Sequence, residues 1–228
     1  MRRLFNAPFI IPILFLSFAV GPMEGKSQVV EDQLIIARLQ YGGGGDWYWG
    51  RSAIPNMQNY LLKNTNLEIA AEETSISPDD DRIFNYPFIF LTGHGNIRFT
   101  DEQVKRLGRY FRAGGFLFAN DSYGLDQTLR RELKRILPES ELVELPFSHE
   151  IYHCYNDFPE GLPKIHKHDG KPPQGFGIFL DGRMAVFYVY ESDIGDGWED
   201  PEVHKDPPEK REAALKMGTN VIIYALTH

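Results

Sequence analysis

Between residues 34 and 145, short apolar runs alternate with stretches whose apolar residues recur every three or four positions. Leu34-Ile35-Ile36-Ala37-Arg38-Leu39 ends at Gly42-Gly43-Gly44-Gly45, which predicts a buried strand stopped by a flexible turn. A helix follows, with Pro55 in its first turn and Ile54, Met57 and Leu61 at i, i+3 and i+7. Residues 67–70 read as a second strand and residues 77–81 as a polar loop. Phe88-Ile89-Phe90-Leu91 reads as a buried strand running into Thr92-Gly93-His94-Gly95-Asn96. Thr100 and Gln103 then form a capping box, Phe99 and Val104 sit where a hydrophobic staple needs them, and Val104, Leu107 and Phe111 make the core stripe of the next helix. Its other face, with Lys105, Arg109 and Arg112, reads as solvated surface. Gly114-Gly115 ends that helix, Phe116-Leu117-Phe118-Ala119 is a further buried strand, and Asn120-Asp121-Ser122-Tyr123-Gly124 leads into a third helix carrying Leu129, Leu133, Ile136 and Leu137.

After a strand-like segment at 142–145 the pattern changes. Residues 146–173 hold no sustained period and are rich in His, Pro, Gly and aromatics, which predicts a long ordered loop. Residues 176–180 and 184–190 flank Asp181-Gly182 as a β-hairpin, residues 191–198 form an acidic loop, and residues 208–226 read as helix. The alternation predicts an α/β domain: a mostly parallel sheet with helices on both faces and a C-terminal β-hairpin. In such sheets ligands bind beyond the carboxyl ends of the strands, which gathers residues 42–46, 92–96 and 120–124 along one edge.

Composition adds a compartment and an exclusion. Arg2 and Arg3 precede an apolar run from 7 to 20, the pattern of a secretory signal rather than of the roughly 20 residues that span a bilayer. Residues 1–27 therefore read as a signal, or as an anchor if uncleaved, residues 28–33 as a linker, and residues 34–228 as the folded domain. Export places that domain in the periplasm or cell envelope, touching membrane only through its N-terminal segment. With 32 acidic against 24 basic side chains and a formal net charge of -8, the chain is not expected to bind nucleic acid. One cysteine, Cys154, excludes an intrachain disulfide and reads as semi-buried.

Candidate chemistry concentrates at the predicted edge. Gly45-x-x-x-x-Gly50-Arg51-Ser52 has phosphate-loop spacing, but Arg stands for lysine and Asp46, Trp47, Tyr48 and Trp49 fill positions where bare amides must wrap phosphate. The aromatic cluster reads instead as a pocket wall. Asn120-x-Ser122-x-Gly124 resembles a nucleophile elbow without its first glycine, so Ser122 is a candidate nucleophile, with Asp121 and His94 as partners; the alternative is that Asp121 and Ser122 cap the next helix. Five of seven histidines, His94, His149, His153, His166 and His168, lie at this edge or in the long loop, where His149-x-x-x-His153 and His166-x-His168 both suit a transition metal. His94, Asp121 and His153 are the candidate ligands for a divalent metal. Asp46, Trp47, Tyr48, Asn96, Tyr123, Glu191 and Asp193 are the candidate ligand-binding set.

The segments Ala37-Arg38-Leu39-Gln40-Tyr41-Gly42-Gly43-Gly44-Gly45-Asp46-Trp47-Tyr48 and Thr92-Gly93-His94-Gly95-Asn96, the Gly114-Gly115-Phe116-Leu117 strand entry, His153, Lys171-Pro172-Pro173-Gln174-Gly175 and Asp193-Ile194-Gly195-Asp196-Gly197-Trp198 together resemble the DUF4159 family of bacterial proteins of unknown function. The resemblance covers roughly residues 34–228. It implies a class I glutamine amidotransferase-like, flavodoxin-like α/β fold, in a family whose members are often exported. Glutaminases of that kind carry a cysteine on the elbow; here the turn is Asn120-Asp121-Ser122-Tyr123-Gly124, so glutaminase activity is not expected. Two readings follow. The chain is a binding module that holds an envelope protein, small molecule or glycan, or it is a hydrolase-like enzyme using Ser122, Asp121 and His94 or a metal-bound water.

Overall fold

The structure, a computed structural model, describes residues 33–70 and 72–228; the apolar N-terminal segment and all but the last residue of the expected linker lie outside the described residues. Strands β1 (Ala37–Leu39), β2 (Thr74–Ile76), β3 (Phe88–Leu91), β4 (Phe116–Asn120), β5 (Val143–Glu144), β6 (Gln174–Leu180) and β7 (Arg183–Tyr190) form one sheet in the order β2-β1-β3-β4-β7-β6-β5. The first five of these in spatial order are mutually parallel, and β6 runs antiparallel between β7 and β5. That parallel array has the flavodoxin-like order, with β7 in the fifth position. Among the described residues no helix is long and apolar enough to cross a membrane.

The helices are α1 (Ala53–Asn64), α2 (Asp101–Arg112), α3 (Asp126–Ile136), α4 (Pro201–His204) and α5 (Pro208–Thr227). Strand alternation assigns them to faces. Phe88, Phe90, Phe116, Phe118, Phe187 and Val189 point into a core shared with α1 and α5, while Ile89, Leu91, Leu117, Ala119, Val186 and Tyr188 point into a second core shared with α2 and α3. The capping box of α2 forms as its sequence predicts: Thr100 Oγ1 accepts from the Gln103 amide and Gln103 Oε1 accepts from the Thr100 amide. The basic residues of α2 are largely occupied, as Lys105 pairs with Glu102 and Arg112 with Glu139.

Two elements, β2 and α4, differ from the sequence expectation. The second strand is Thr74–Ile76, not residues 67–70, of which only Ile69 bridges Leu34. β2 is an edge strand with one buried side chain, Ile76, so no apolar run marks it. The C-terminal hairpin forms as its sequence predicts, and its second strand, β7, pairs with β4 over Leu117–Asn120 and completes the parallel array. Its turn has positive φ at both Asp181 and Gly182, as a two-residue hairpin loop requires. The short helix α4 has no buried residue and therefore no apolar signal.

One buried side chain fixes the first part of the long loop. Asn220 of α5 accepts from the Asn156 amide at 2.7 Å and donates to the carbonyls of Ile151 and Asn156. Farther up α5, Gly218 makes room for the Trp198 ring, because a Cβ there would lie 2.5 Å from Trp198 Cζ2 and 2.8 Å from Met57 Sδ. Trp198 is fully buried against Phe90 and Phe118 and donates Nε1 to the Ala214 carbonyl, so it anchors the loop that follows β7. Gly218→Ala is accordingly expected to lower stability by about 2 kcal/mol through overpacking. Loss of Thr100 by Thr100→Ala should cost about 1 kcal/mol as a missing cap. Denaturant unfolding of the two variants checks the ranking.

Candidate functional site

The strand order reverses between β1 and β3, and the ligand crevice of such sheets lies outside the carboxyl ends at that reversal. The segment after β1 is pinned there by Arg38, a buried guanidinium that donates to the carbonyls of Trp49 and Gly50 and pairs with Glu73. Two of the amides that a phosphate loop would expose are already used: Gly45 donates to the Asn96 carbonyl and Asp46 to the His94 carbonyl. The Asp46 carboxylate in turn accepts from the His94 amide and lies 3.1 Å from His94 Nδ1. The His94 ring meets the Trp49 indole edge-on at 4.7 Å.

From Trp49 the contacts lead into the loop after β7. Trp49 Nε1 donates to Asp196 Oδ1, and Ser122 Oγ donates to the same oxygen, both at 3.1 Å. Ser122 Oγ is also 2.9 Å from Thr92 Oγ1. Asn120, fully buried at the end of β4, places its amide nitrogen 3.2 Å from Thr92, Ser122 and Asp193, and its oxygen accepts from the Gly195 amide. One asparagine thus ties the sheet to the acidic loop.

Histidines from the long loop and from α4 close the cluster. Asp193 Oδ2 is 2.6 Å from His166 Nδ1 and 3.1 Å from His168 Nε2. His166 Nε2 is 2.9 Å from Asp206, and His204 Nε2 is 2.7 Å from Glu199. Burial alone would raise Asp193, but the hydrogen bonds from His166 and His168 hold its carboxyl below the usual range. The Asp193 hydrogen bond pushes His166 up to about 9 against the effect of burial. Burial, and then the charges of Asp193 and Glu199, push Asp196 well above the carboxylate range.

The residues singled out from sequence divide between this cluster and other tasks. Ser122 and Asp193 are in it, and His94 and Asp46 adjoin it through Trp49. Asp121 Oδ1 accepts from the amides of Tyr123 and Leu125, so it shapes the turn before α3, whereas Ser122 caps nothing. Tyr123, 52% exposed with φ of 127°, packs edge-on to His168 and donates to Asp169. Buried Glu191 accepts from Lys164 and from the Asp169 amide, contacts that hold it below its usual range although burial opposes them. Trp47 and Tyr48 line a separate hollow of about 330 Å³ with Arg38, Arg51 and Glu73, and Asn96 is held by Gly43 and Arg131.

The proposed ligand set His94, Asp121 and His153 is not brought together. His153 binds Asp157 and the Phe147 carbonyl, and His149 accepts from the Ile151 amide. The groups of three that do converge among the described residues are His166, Asp196 and His204, and His166, His168 and Asp193. His204 and Asp206 carry no periodic apolar signal, because α4 is short and polar and Asp206 follows it in the turn before α5. The spacing His204-x-Asp206, after the acidic loop, was the signal available.

Cys154 lies outside the cluster, with its thiol donating to the Asn220 carbonyl. Burial pushes the thiol up to about 11. Because only the thiolate reacts and an ordinary thiol titrates near 8.5, a disulfide reagent at pH 8 should modify the native chain at least about tenfold more slowly than the unfolded chain. Equal rates would show that the thiol is open and ordinary.

No curated protein matches the chain. The family model described as a domain of unknown function, DUF4159, matches residues 35–226. That span takes in every strand and helix described above except the last residue of α5, and the chain belongs to the DUF4159 family.

Proposed function

We propose that this DUF4159 member is an exported, non-glutaminase binding module of the cell envelope, built on an amidotransferase-like scaffold and holding its ligand or partner at the carboxyl edge of the sheet. The observation that carries the reading is the condition of Ser122. Its hydroxyl donates to the Asp196 carboxylate, and neither His94 nor His166 is its hydrogen-bond partner. A serine nucleophile needs a base that takes its proton and a turn that thrusts it out, whereas here the positive φ falls on Tyr123 and Gly124 and Ser122 is buried. Export is supported by Arg2, Arg3 and the apolar run that follows them. The hollow beside Trp47 and Tyr48, with Tyr48 55% exposed, offers an aromatic wall suited to a protein, small molecule or glycan.

A second reading rests on His94. Asp46 occupies its Nδ1 and orients the ring, the arrangement of a base held by a carboxylate. In a hydrolase His94 would serve as that base at the crevice, with Ser122 or a bound water as the reacting group and Asp121 confined to shaping the turn.

Two measurements separate these readings. A fluorophosphonate probe is expected to label wild type and Ser122→Ala alike, and Ser122-dependent labelling would assign the edge to the hydrolase. A photo-crosslinking residue at Tyr48 in the producing cells should capture a discrete envelope component that the same residue at Phe84, at the opposite edge of the sheet, does not. Identical adducts at both positions, or none at Tyr48, would remove the binding reading.

A further inference from the structure

We propose that His166, Asp196 and His204 form a binding site for one divalent transition-metal ion of the zinc class. The inference rests on reading the carboxyl edge as the ligand site and names the ligand held there.

Geometry carries it. The three side chains offer donor atoms that all lie within 4.8 Å of one another. Asp196 is 96% buried, and its two oxygens have different surroundings: Oδ1 accepts from Trp49 and Ser122, whereas Oδ2 accepts no hydrogen bond and faces the imidazoles. Oδ2 is 3.5 Å from His204 Nε2 and 4.0 Å from His166 Nδ1. Those separations are too long for hydrogen bonds but close to the spacing of about 3.3 Å between ligands on a tetrahedral ion with bonds of about 2.0 Å. The other convergent triad differs. There Asp193 Oδ2 already sits at hydrogen-bond distance from both His166 and His168, so that carboxylate is filled.

The surroundings supply the outer contacts that a metal ligand needs. Asp206 holds His166 through Nε2, which leaves Nδ1 to bind the ion once it releases its hydrogen bond to Asp193. Asp193 keeps His168 and Asn120. Glu199 is hydrogen-bonded to His204 Nε2, so that bond too gives way when the nitrogen binds the ion, which leaves Glu199 close enough to join as a further ligand. The chemistry of the set fixes the class of ion: two imidazoles with one carboxylate suit zinc and its neighbours, not calcium or magnesium, which demand oxygen. Three protein ligands leave a fourth position open. Electrostatics agree, since Asp193, Asp196 and Glu199 are buried together, a concentration of carboxylates that a divalent cation offsets.

The test uses the full chain purified without a polyhistidine tag, stripped with chelator, and titrated with zinc(II) and then cobalt(II). One equivalent of zinc is expected to bind at micromolar or lower concentration, and cobalt should give the visible absorption of a four- or five-coordinate ion. His204→Ala and Asp196→Asn should each weaken zinc by more than about 100-fold, Asp206→Ala by about tenfold as the outer contact of His166, and His153→Ala not at all. His204 lies on a helix with no buried residue, so His204→Ala retains the fold even if Asp196→Asn does not, and circular dichroism checks both. Less than about a tenth of an equivalent of zinc at micromolar concentration, or unchanged affinity in His204→Ala, overturns the proposal. Because Tyr48 lines a separate hollow, capture at Tyr48 without zinc uptake overturns the metal site alone, and zinc uptake without capture supports the metal site while removing the partner reading.

Discussion

Burying carboxylates at one end of a sheet is the constraint from which the rest of this molecule follows. Asp121, Glu191, Asp193, Asp196 and Glu199 are all at most 5% exposed. An ionised carboxylate left without donors in such a place costs several kcal/mol, so each must be answered by a specific group. Each answer is different. Asp121 uses backbone amides, Glu191 uses Lys164 and an amide, Asp193 uses Asn120 and two imidazoles, Asp196 uses an indole and a hydroxyl, and Glu199 uses the His204 imidazole. The loop bends to make these contacts, with φ of 58° at Glu191 and 65° at Asp193, left-handed values that non-glycine residues hold only when their surroundings over-determine them.

Apolar packing provides that over-determination. The acidic loop is short of apolar side chains apart from Ile194 and Trp198, and both are fully buried. Trp198 lies over Phe90 and Phe118, so the parallel strands β3 and β4 fix the position of the turn that carries Asp196. On the other side of the crevice Arg38 holds the Trp49 and Gly50 carbonyls, which aims the Trp49 indole at Asp196. Core residues and site residues are therefore coupled through two tryptophans: one buried for packing, the other used for its N–H.

The sequence made this fold legible where local periodicity and burial coincide. Phe88 to Leu91 and the capped helix after Thr100 are strong because every neighbouring choice agrees. β2 was illegible because an edge strand needs only Ile76 buried, and α4 because it buries nothing. For the site, the rule about carboxyl ends found Asp46, His94 and Ser122, since it depends on strand order alone. It could not find the partnership of Asp196 with His166 and His204, which come from three separate segments with no shared period. Spacing within one segment, as in His149-x-x-x-His153, was the misleading cue: those two side chains are spent on local turns.

The carboxylate constraint also bears on chemistry at Ser122. An elbow serine becomes reactive when a base with a free lone pair accepts its proton. Here the acceptor is Asp196 Oδ1, already accepting a hydrogen bond from Trp49 Nε1, on a carboxyl that burial and neighbouring charge drive toward its neutral form. A neutral or doubly engaged carboxyl is a poor base. The hydrogen bonds that satisfy Asp196 in the interior are thus the ones that occupy the Ser122 hydroxyl, while the other oxygen of the same carboxyl is turned toward two imidazoles. Satisfying a buried acid and engaging the Ser122 proton are, at this position, a single structural event.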